Sequence, residues 1–205
     1  FIIIATIILI SANSTKAGKE VSRKPNLIFI LADDLGYGDL GCFGQKKIKT
    51  PNLDQLALDG VTFNNAYVSA SVCSPSRAGL LTGMYQQRFG HECNLDSDVN
   101  NSFDPNQITI AEALKTEGYS TGLIGKWHLG WDWPAIRKPD AKPMKRKKGR
   151  GTQTFWGADA FDWSKPIPDG PLAHGFDYYF GDSVINFPPY AWIANDRGQM
   201  LKPFH

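Results

Sequence analysis

A cysteine, a proline and an arginine stand at alternate positions in Cys73-Ser74-Pro75-Ser76-Arg77. Proline is favoured in the first turn of a helix, so the motif predicts a helix that begins near Cys73. Residues four apart share a helical face, which places the thiol and the guanidinium together at the positive end of that helix. Backbone N–H groups and a guanidinium fork at this end favour binding of a tetrahedral anion.

Two adjacent carboxylates, Asp33 and Asp34, follow the apolar run 26–32. Side by side at the edge of a sheet, they repel each other and resist desolvation unless a cation lies between them. Carboxylate oxygens suit Ca²⁺ or Mg²⁺ rather than a soft metal. A solvated turn with two acids is the alternative interpretation.

The hexapeptide 125–130 (GKWHLG) follows a predicted strand. In an extended chain Lys126 and His128 project to the same side, which would bring a cation and a general acid into one site. The alternative is a glycine-flanked turn with a surface lysine and a packed histidine.

Strands and helices are expected to position these residues. The apolar run 26–32 predicts a strand buried on both faces, and ligands bind at the C-terminal edge of such strands. Further strands are predicted over 61–68, 119–124 and 176–180. Helices are predicted over 51–59, between the possible cap Thr50 and Gly60, and over 74–82 and 108–117. The pattern predicts an α/β fold with a mixed, largely parallel sheet sandwiched between helices.

The stretch 131–171 is rich in Pro, Gly, Lys and Trp, and we interpret it as an insertion or long loop. A run of basic residues within it usually forms a solvated face, but it can also hold an anionic substrate. The run consists of Lys142, Lys145, Arg146, Lys147, Lys148 and Arg150.

Composition limits the function classes. The 205 residues are 42% hydrophobic, enough for a sizeable core, and 22 basic residues nearly cancel 20 acidic ones. This balance argues against nucleic acid as a partner. Residues 1–10 are apolar apart from Thr6, and a small, polar run follows, so 1–17 is interpreted as a partial signal peptide of an exported protein. A stable membrane span needs about 20 apolar residues and is not expected.

The motifs, in this order and spacing, resemble those of type I sulfatases of the alkaline-phosphatase superfamily. The resemblance covers roughly residues 25 to 185 and implies that 25–205 is the N-terminal part of a sulfatase catalytic domain. The matching segments are 25–26, 33–39, 50–54, 73–77, 81–83, 125–130 and 175–177.

The resemblance also implies a mechanism. A formylglycine-generating enzyme would oxidise Cys73 to formylglycine, whose hydrate attacks sulfur and expels the alcohol, after which the second hydrate oxygen collapses and releases sulfate. Asp33, Asp34 and the modified Cys73 would bind one divalent cation, usually Ca²⁺ and less often Mg²⁺. Arg77 would orient the hydrated aldehyde and Lys126 would bridge it to the sulfate. His128 would assist sulfate release.

The implied substrate is a sulfated small molecule or glycan. Two other functions remain open: a phosphonate monoester or phosphodiester hydrolase, and a non-catalytic binder of sulfated glycans. Cys42 and Cys93 do not follow a metal-binding spacing, and whether they pair is open.

The family completes its site with an Asp-Asn pair, a second His and a second Lys further along the chain. None is identifiable here, since Asn195-Asp196 has the reverse order. We therefore expect these 205 residues alone to be poorly active and to bind calcium weakly.

Overall fold

The computed structural model describes residues 24–96, 103–148, 151–184 and 187–200. The chain divides into two compact units, Phe1–Val68 and Ser69–His205. The described α-helices are α1 (Pro51–Asp59), α2 (Cys73–Thr82), α3 (Ile110–Thr116) and α4 (Trp133–Ile136). Short 3₁₀ helices cover Tyr37–Asp39, Gly41–Phe43, Gln86–Phe89, Ala158–Ala160 and Pro171–His174. No described helix is long and apolar enough to cross a membrane. The predicted signal peptide lies outside the described residues.

The described strands form a four-stranded and a two-stranded sheet, both in the second unit. The strands are β1 (Gly122–Ile124), β2 (Met144–Lys148), β3 (Gly151–Phe155), β4 (Tyr178–Gly181), β5 (Ala191–Ala194) and β6 (Arg197–Met200). The larger sheet has the order β1-β4-β5-β6. In it β1 and β4 are parallel, with Gly122 opposite Tyr178, and the other two pairings are antiparallel. The separate hairpin pairs β2 with β3.

The α/β class with a mixed sheet and helices is confirmed. The helix predictions are accurate to within two residues at each end, since all three depend on local signals. The predicted strands 119–124 and 176–180 correspond to β1, which is shorter, and β4, which is shifted by up to two residues. The hairpin of β5 and β6 was not predicted.

Two predicted strands in the first unit are wrong. Residues 26–32 and 61–68 contain no strand, and apolar side chains in both are exposed, with Ile30 59% and Phe63 61% accessible. A strand requires hydrogen bonds to a neighbouring strand, and no described residue forms a ladder with either run. An apolar pattern indicates a tendency to be buried but does not supply the pairing partner.

Helix α1 is tied to the preceding 3₁₀ turn by Thr50, although not as a helix cap. The Thr50 hydroxyl accepts a hydrogen bond from the Gly41 N–H at 2.8 Å and donates one to Asp54 Oδ1 at 2.9 Å. The same Asp54 oxygen accepts from the Cys42 N–H at 2.7 Å. Thr50 and Asp54 thereby fix the turn against the first turn of the helix.

The core of the second unit is mainly aromatic. Trp131 and Trp133 are fully buried, with ring centroids 6.1 Å apart, and Trp131 lies 5.6 Å from the ring of Tyr179 on β4. Phe161 packs 5.2 Å from Trp133. Three of these four rings come from 131–171, so this stretch, which also contains α4 and the β2–β3 hairpin, supplies much of the core that supports the sheet.

Candidate active site

Helix α2 presents Cys73 at its first residue. Val72 precedes it in extended conformation, Pro75 is buried in the first turn, and Arg77 follows one turn after Cys73. The Cys73 side chain is partly buried and is a free thiol, as are the exposed Cys42 and Cys93. The predicted helix and the shared face of Cys73 and Arg77 are confirmed.

Arg77 connects two of the predicted motifs. Its Nη1 donates a hydrogen bond to the backbone oxygen of Lys126 at 2.7 Å. Such charge-assisted bonds contribute about 1.5–3 kcal/mol. The Cys73 helix and the 125–130 loop, 49 residues apart in sequence, therefore meet at one place.

The 125–130 loop extends the parallel pairing of β1 with β4. The Gly125 N–H donates to Phe180 O at 2.8 Å, and the His128 N–H donates to Ser183 O at 2.9 Å. Between them, the Trp127 N–H donates to Asp182 O at 3.1 Å. The loop thus lies at the C-terminal edge of two parallel strands, where α/β proteins bind ligands.

Glycines allow this path of the loop. Gly125 and Gly130, which flank it, have φ values of 112° and 92°, in the left-handed region that side chains disfavour. Gly181 faces the loop so closely that a Cβ at this position would collide with the Gly125 carbonyl oxygen. Residues 125, 130 and 181 are glycine for these two reasons.

His128 is buried, with 5% of its surface exposed, and has a φ of 55°. Its Nε2 lies 2.9 Å from the Leu95 carbonyl oxygen. A carbonyl only accepts, so Nε2 carries the hydrogen and the neutral ring has its basic lone pair on Nδ1. The left-handed backbone shows that the extended geometry assumed for Lys126 and His128 is wrong at His128. Residues in such conformations are held by their surroundings and concentrate at functional sites.

Ser74 is held by a segment for which the sequence indicated no chemistry. The Ser74 hydroxyl lies 2.7 Å from His91 Nε2, and its backbone N–H donates to Asn94 Oδ1 at 3.0 Å. Ser74 is completely buried. The polar residues after Gly90 carry no local signal of this role, because the contacts span 17 and 20 residues.

The N-terminal end of α2 offers an anion fewer unpaired backbone N–H groups than the sequence suggested. The Ser74 N–H is bound to Asn94, and the Ser76 N–H donates to Val72 O at 3.2 Å. Pro75 has no N–H. The side-chain charges of Arg77 and Lys126 therefore have to provide most of the attraction for an anion.

Asp182 is a buried carboxyl beside this loop, with 8% of its surface exposed, and was not among the predicted site residues. Burial raises its pKa to about 6, although the Val184 N–H donates to Oδ1 at 3.2 Å. Its backbone oxygen accepts from the Tyr179 hydroxyl at 3.0 Å. Burial and the Asp182 charge raise the pKa of Tyr179, and the Arg77 charge opposes them.

Two histidines of this unit titrate below their usual range. Burial lowers the pKa of His91. Burial also lowers the pKa of His174, and the charge of Glu112 opposes this shift. Both rings are therefore neutral at neutral pH, and neutral His91 can accept the hydrogen bond from the Ser74 hydroxyl.

Asp33 and Asp34 lie in an exposed turn of the first unit, and Asp34 has a φ of 57°. Within 24–96, 103–148, 151–184 and 187–200, no three His, Cys, Asp or Glu side chains form a group that could hold a metal. Two carboxylates fit a hard cation chemically, but Ca²⁺ takes about 6–8 oxygen ligands. The pair therefore suits part of a calcium ligand set.

Comparisons with known proteins agree with these motifs. The family model for sulfatases matches residues 25–191. Human arylsulfatase A is 50% identical over 115 residues, which are 56% of this chain and 23% of that protein. Mouse steryl-sulfatase is 43% identical over 185 residues, which are 87% of this chain and 25% of that protein.

A solved structure agrees as well. A Bacteroides thetaiotaomicron sulfatase structure, whose description concerns the metabolism of multiple glycosaminoglycans, superposes on this chain with a TM-score of 0.69 and 36% sequence identity. The match covers 89% of this chain and 33% of that one. The chain spans about a quarter of the length of the curated relatives. The matched segment includes every predicted site residue, and the chain belongs to the sulfatase family.

Proposed function

We propose that the protein hydrolyses sulfate esters at a site formed around Cys73. The overall reaction consumes water and releases an alcohol and sulfate. The observation that supports it most directly is the hydrogen bond of Arg77 to the Lys126 backbone, which links the two motifs of the second unit. Membership of the sulfatase family supports the reaction type.

The residues of the site have distinct roles in this proposal. Cys73, once oxidised to formylglycine, supplies a hydrate oxygen as nucleophile. The charge of Arg77 orients that hydrate and stabilises the anion, and the Lys126 ammonium binds the sulfate group. His128 moves the proton that accompanies sulfate release, using Nδ1 because Nε2 is hydrogen-bonded to Leu95 O.

We further propose that Asp33, Asp34 and the modified Cys73 bind one divalent cation. Carboxylate oxygens make Ca²⁺ the preferred ion, with Mg²⁺ as the second choice. When bound, the cation lowers the pKa of the hydrate and neutralises developing charge. Titration of the full-length protein with Ca²⁺, followed by calorimetry, tests this ligand set: Asp33→Asn and Asp34→Asn should each weaken binding. Unchanged affinity in both variants would refute it.

A sulfated saccharide is the proposed substrate. Six basic residues and no acidic ones lie within 141–157, and Lys145 and Lys147 are exposed on one face of β2, about 7 Å apart along the strand. No described carboxylate forms an ion pair with either. An anionic polymer suits this surface better than a single small sulfate ester does. The similar structure described under glycosaminoglycan metabolism supports a saccharide, whereas the steryl-sulfatase relative makes a small sulfated molecule the second candidate.

Two measurements test the reaction together. Mass spectrometry of the Cys73 peptide from the full-length protein should show formylglycine, and aryl sulfate should be hydrolysed faster than an aryl phosphodiester. Cys73→Ala should abolish turnover, whereas Cys42→Ala, at an exposed thiol, should not. Preference for the phosphodiester would instead show a phosphodiester or phosphonate monoester hydrolase. An unmodified cysteine without turnover would indicate a binder of sulfated glycans.

Export is the proposed location, and the formylglycine-generating enzyme is the proposed maturation partner. Both follow from the apolar residues 1–10 and from the motif 73–77. N-terminal sequencing of protein recovered outside the producing cell should show cleavage near residue 17. Intact N-termini retained in the cytoplasm would contradict export.

A further inference from the structure

Residues 91–95, called here the 91–95 segment, contact both sequence-predicted motifs of the second unit. His91 and Asn94 are hydrogen-bonded to Ser74, the residue after Cys73. Leu95 is hydrogen-bonded through its carbonyl oxygen to the ring of His128. Five consecutive residues thus link the beginning of α2 to the imidazole of the 125–130 loop.

Ser74 is fixed at both of its polar groups. Its hydroxyl contacts His91 Nε2 at 2.7 Å, and its N–H contacts Asn94 Oδ1 at 3.0 Å. The N–H belongs to the peptide group that joins Cys73 to Ser74, so Asn94 directly restrains the backbone of Cys73. Ser74 is completely buried and cannot exchange these partners for bulk water.

His91 is itself held in place. Its ring centroid lies 6.0 Å from that of Phe103 and 6.5 Å from that of Phe89. These aromatic contacts leave the imidazole few alternative orientations. The 2.7 Å bond to Ser74 is therefore a restraint anchored in the core, because Phe103 belongs to the buried cluster.

We propose that the 91–95 segment aligns Cys73 with His128, and that His91 is a positioning residue that acts through Ser74. This inference rests on the proposed function only in assuming that Cys73 and His128 take part in the reaction. One short segment that restrains both residues keeps their relative orientation constant. A displacement of about 1 Å between reacting groups can lower a rate about 100-fold.

Kinetics of the matured full-length protein test the role of His91. His91→Ala should lower kcat about 10- to 100-fold and leave KM nearly unchanged. His91→Gln, whose amide can occupy the place of Nε2, should recover most of kcat. The double variant His91→Ala/Ser74→Ala should be no slower than Ser74→Ala, because each single change already removes the same hydrogen bond between the two side chains. Parental kcat in His91→Ala, or independent losses in the double variant, would overturn the proposal.

Thr109→Ala is the matched control for lost stability. Thr109 is buried and caps α3, with its Oγ1 accepting from the Glu112 N–H at 3.2 Å. Loss of the Thr109 hydroxyl weakens the same unit at a helix cap whose hydrogen bonds are to Glu112 and His174, outside the 91–95 segment. Thr109→Ala should melt at a lower temperature yet keep the parental kcat. An equal loss of kcat in both variants would attribute the His91 effect to stability and refute positioning.

Alkylation of Cys73 separates this proposal from the proposed function. The sample is protein in which Cys73 has not been converted to formylglycine, treated with iodoacetamide in the absence of substrate. Peptide-resolved mass spectrometry then measures the alkylation rate of each cysteine. His91→Ala should change the alkylation rate of Cys73 several-fold and leave that of Cys42 unchanged. That change, found together with an absence of sulfatase turnover in the matured protein, would refute the proposed function and support positioning. Normal turnover with neither kcat nor alkylation altered would refute positioning alone.

Discussion

Replacing Asp182 by asparagine should stabilise the protein in a pH-dependent way. Asparagine keeps the shape of the side chain and an Oδ1 that can accept from the Val184 N–H, at 3.2 Å in the parent, but it carries no charge. The parent carboxyl is buried and has its pKa raised to about 6, so in its ionised form it destabilises the folded state.

The magnitude follows from the two pKa values. The folded-state pKa of about 6 lies above the value of 3.8 for a free carboxyl, so between them the folded state holds more protons. Parent stability therefore falls as pH rises through this window, and the loss is complete about one pH unit above the folded-state pKa. At about 1.4 kcal/mol per pKa unit, the full loss is at most about 3 kcal/mol, reduced by whatever solvent reaches the carboxyl.

Thermal and urea unfolding of parent and Asp182→Asn at pH 5, 6, 7 and 8 measure this difference. The free energy of unfolding of the variant, relative to the parent, should increase from pH 5 to pH 7 and then become constant. Any cost of burying the new amide N–H₂ group is independent of pH and shifts the whole curve. The same difference at all four pH values would refute the assignment of a destabilising buried charge.

Asp162→Asn provides a control of opposite sign. Hydrogen bonds from Ser164 lower the pKa of the Asp162 carboxyl. Its ionised form therefore stabilises the folded state above the pKa of a free carboxyl, and this contribution disappears as pH falls through the lowered value. The variant should accordingly be less stable than the parent at neutral pH, in contrast to Asp182→Asn.

Three further outcomes are expected. Gly130→Ala, at a φ of 92°, should lower the free energy of unfolding by about 1–2 kcal/mol in urea titrations and reduce kcat; a neutral effect would contradict the strained path of the loop. Because burial lowers the pKa values of His91 and His174, the unfolded chain binds protons first as pH falls below 6.5, so the melting temperature of the parent should decrease from pH 7 to pH 5 relative to that of the double variant His91→Gln/His174→Gln, and a difference that stays constant would contradict this. Lys145→Gln with Lys147→Gln should weaken binding to a sulfated polysaccharide column and reduce its salt dependence, while turnover of a small aryl sulfate stays constant; unchanged elution would exclude this hairpin as the glycan surface.

Local sequence signals predicted the helices well. Pro75 places the first turn of α2, so Cys73 and Arg77 were correctly assigned to one helical face. Thr50 and Gly60 likewise stand immediately before and after α1 and mark its two ends. These signals act within four residues of the element that they define, so the sequence alone is enough to recognise them.

The strands and the core required information that is not local. The run 26–32 has the composition of a buried strand, yet its pairing depends on a neighbour that no nearby residue supplies. Trp131 and Trp133 lie among prolines and glycines that indicate a loop, but both are fully buried. Their burial depends on Tyr179 and Phe161, which are distant in sequence.

The same distinction explains which parts of the site can be recognised from the sequence. Backbone carbonyl oxygens of Lys126, Leu95 and Ser183 accept the bonds from Arg77, the His128 ring and the His128 N–H. Every residue type has such an oxygen, so these contacts leave no trace in the pattern of residues. Substitution of the Leu95 side chain should therefore be tolerated as far as its packing allows. Ser74, by contrast, is held through the side chains at positions 91 and 94, where the identity of the residue decides whether the bonds to Ser74 exist.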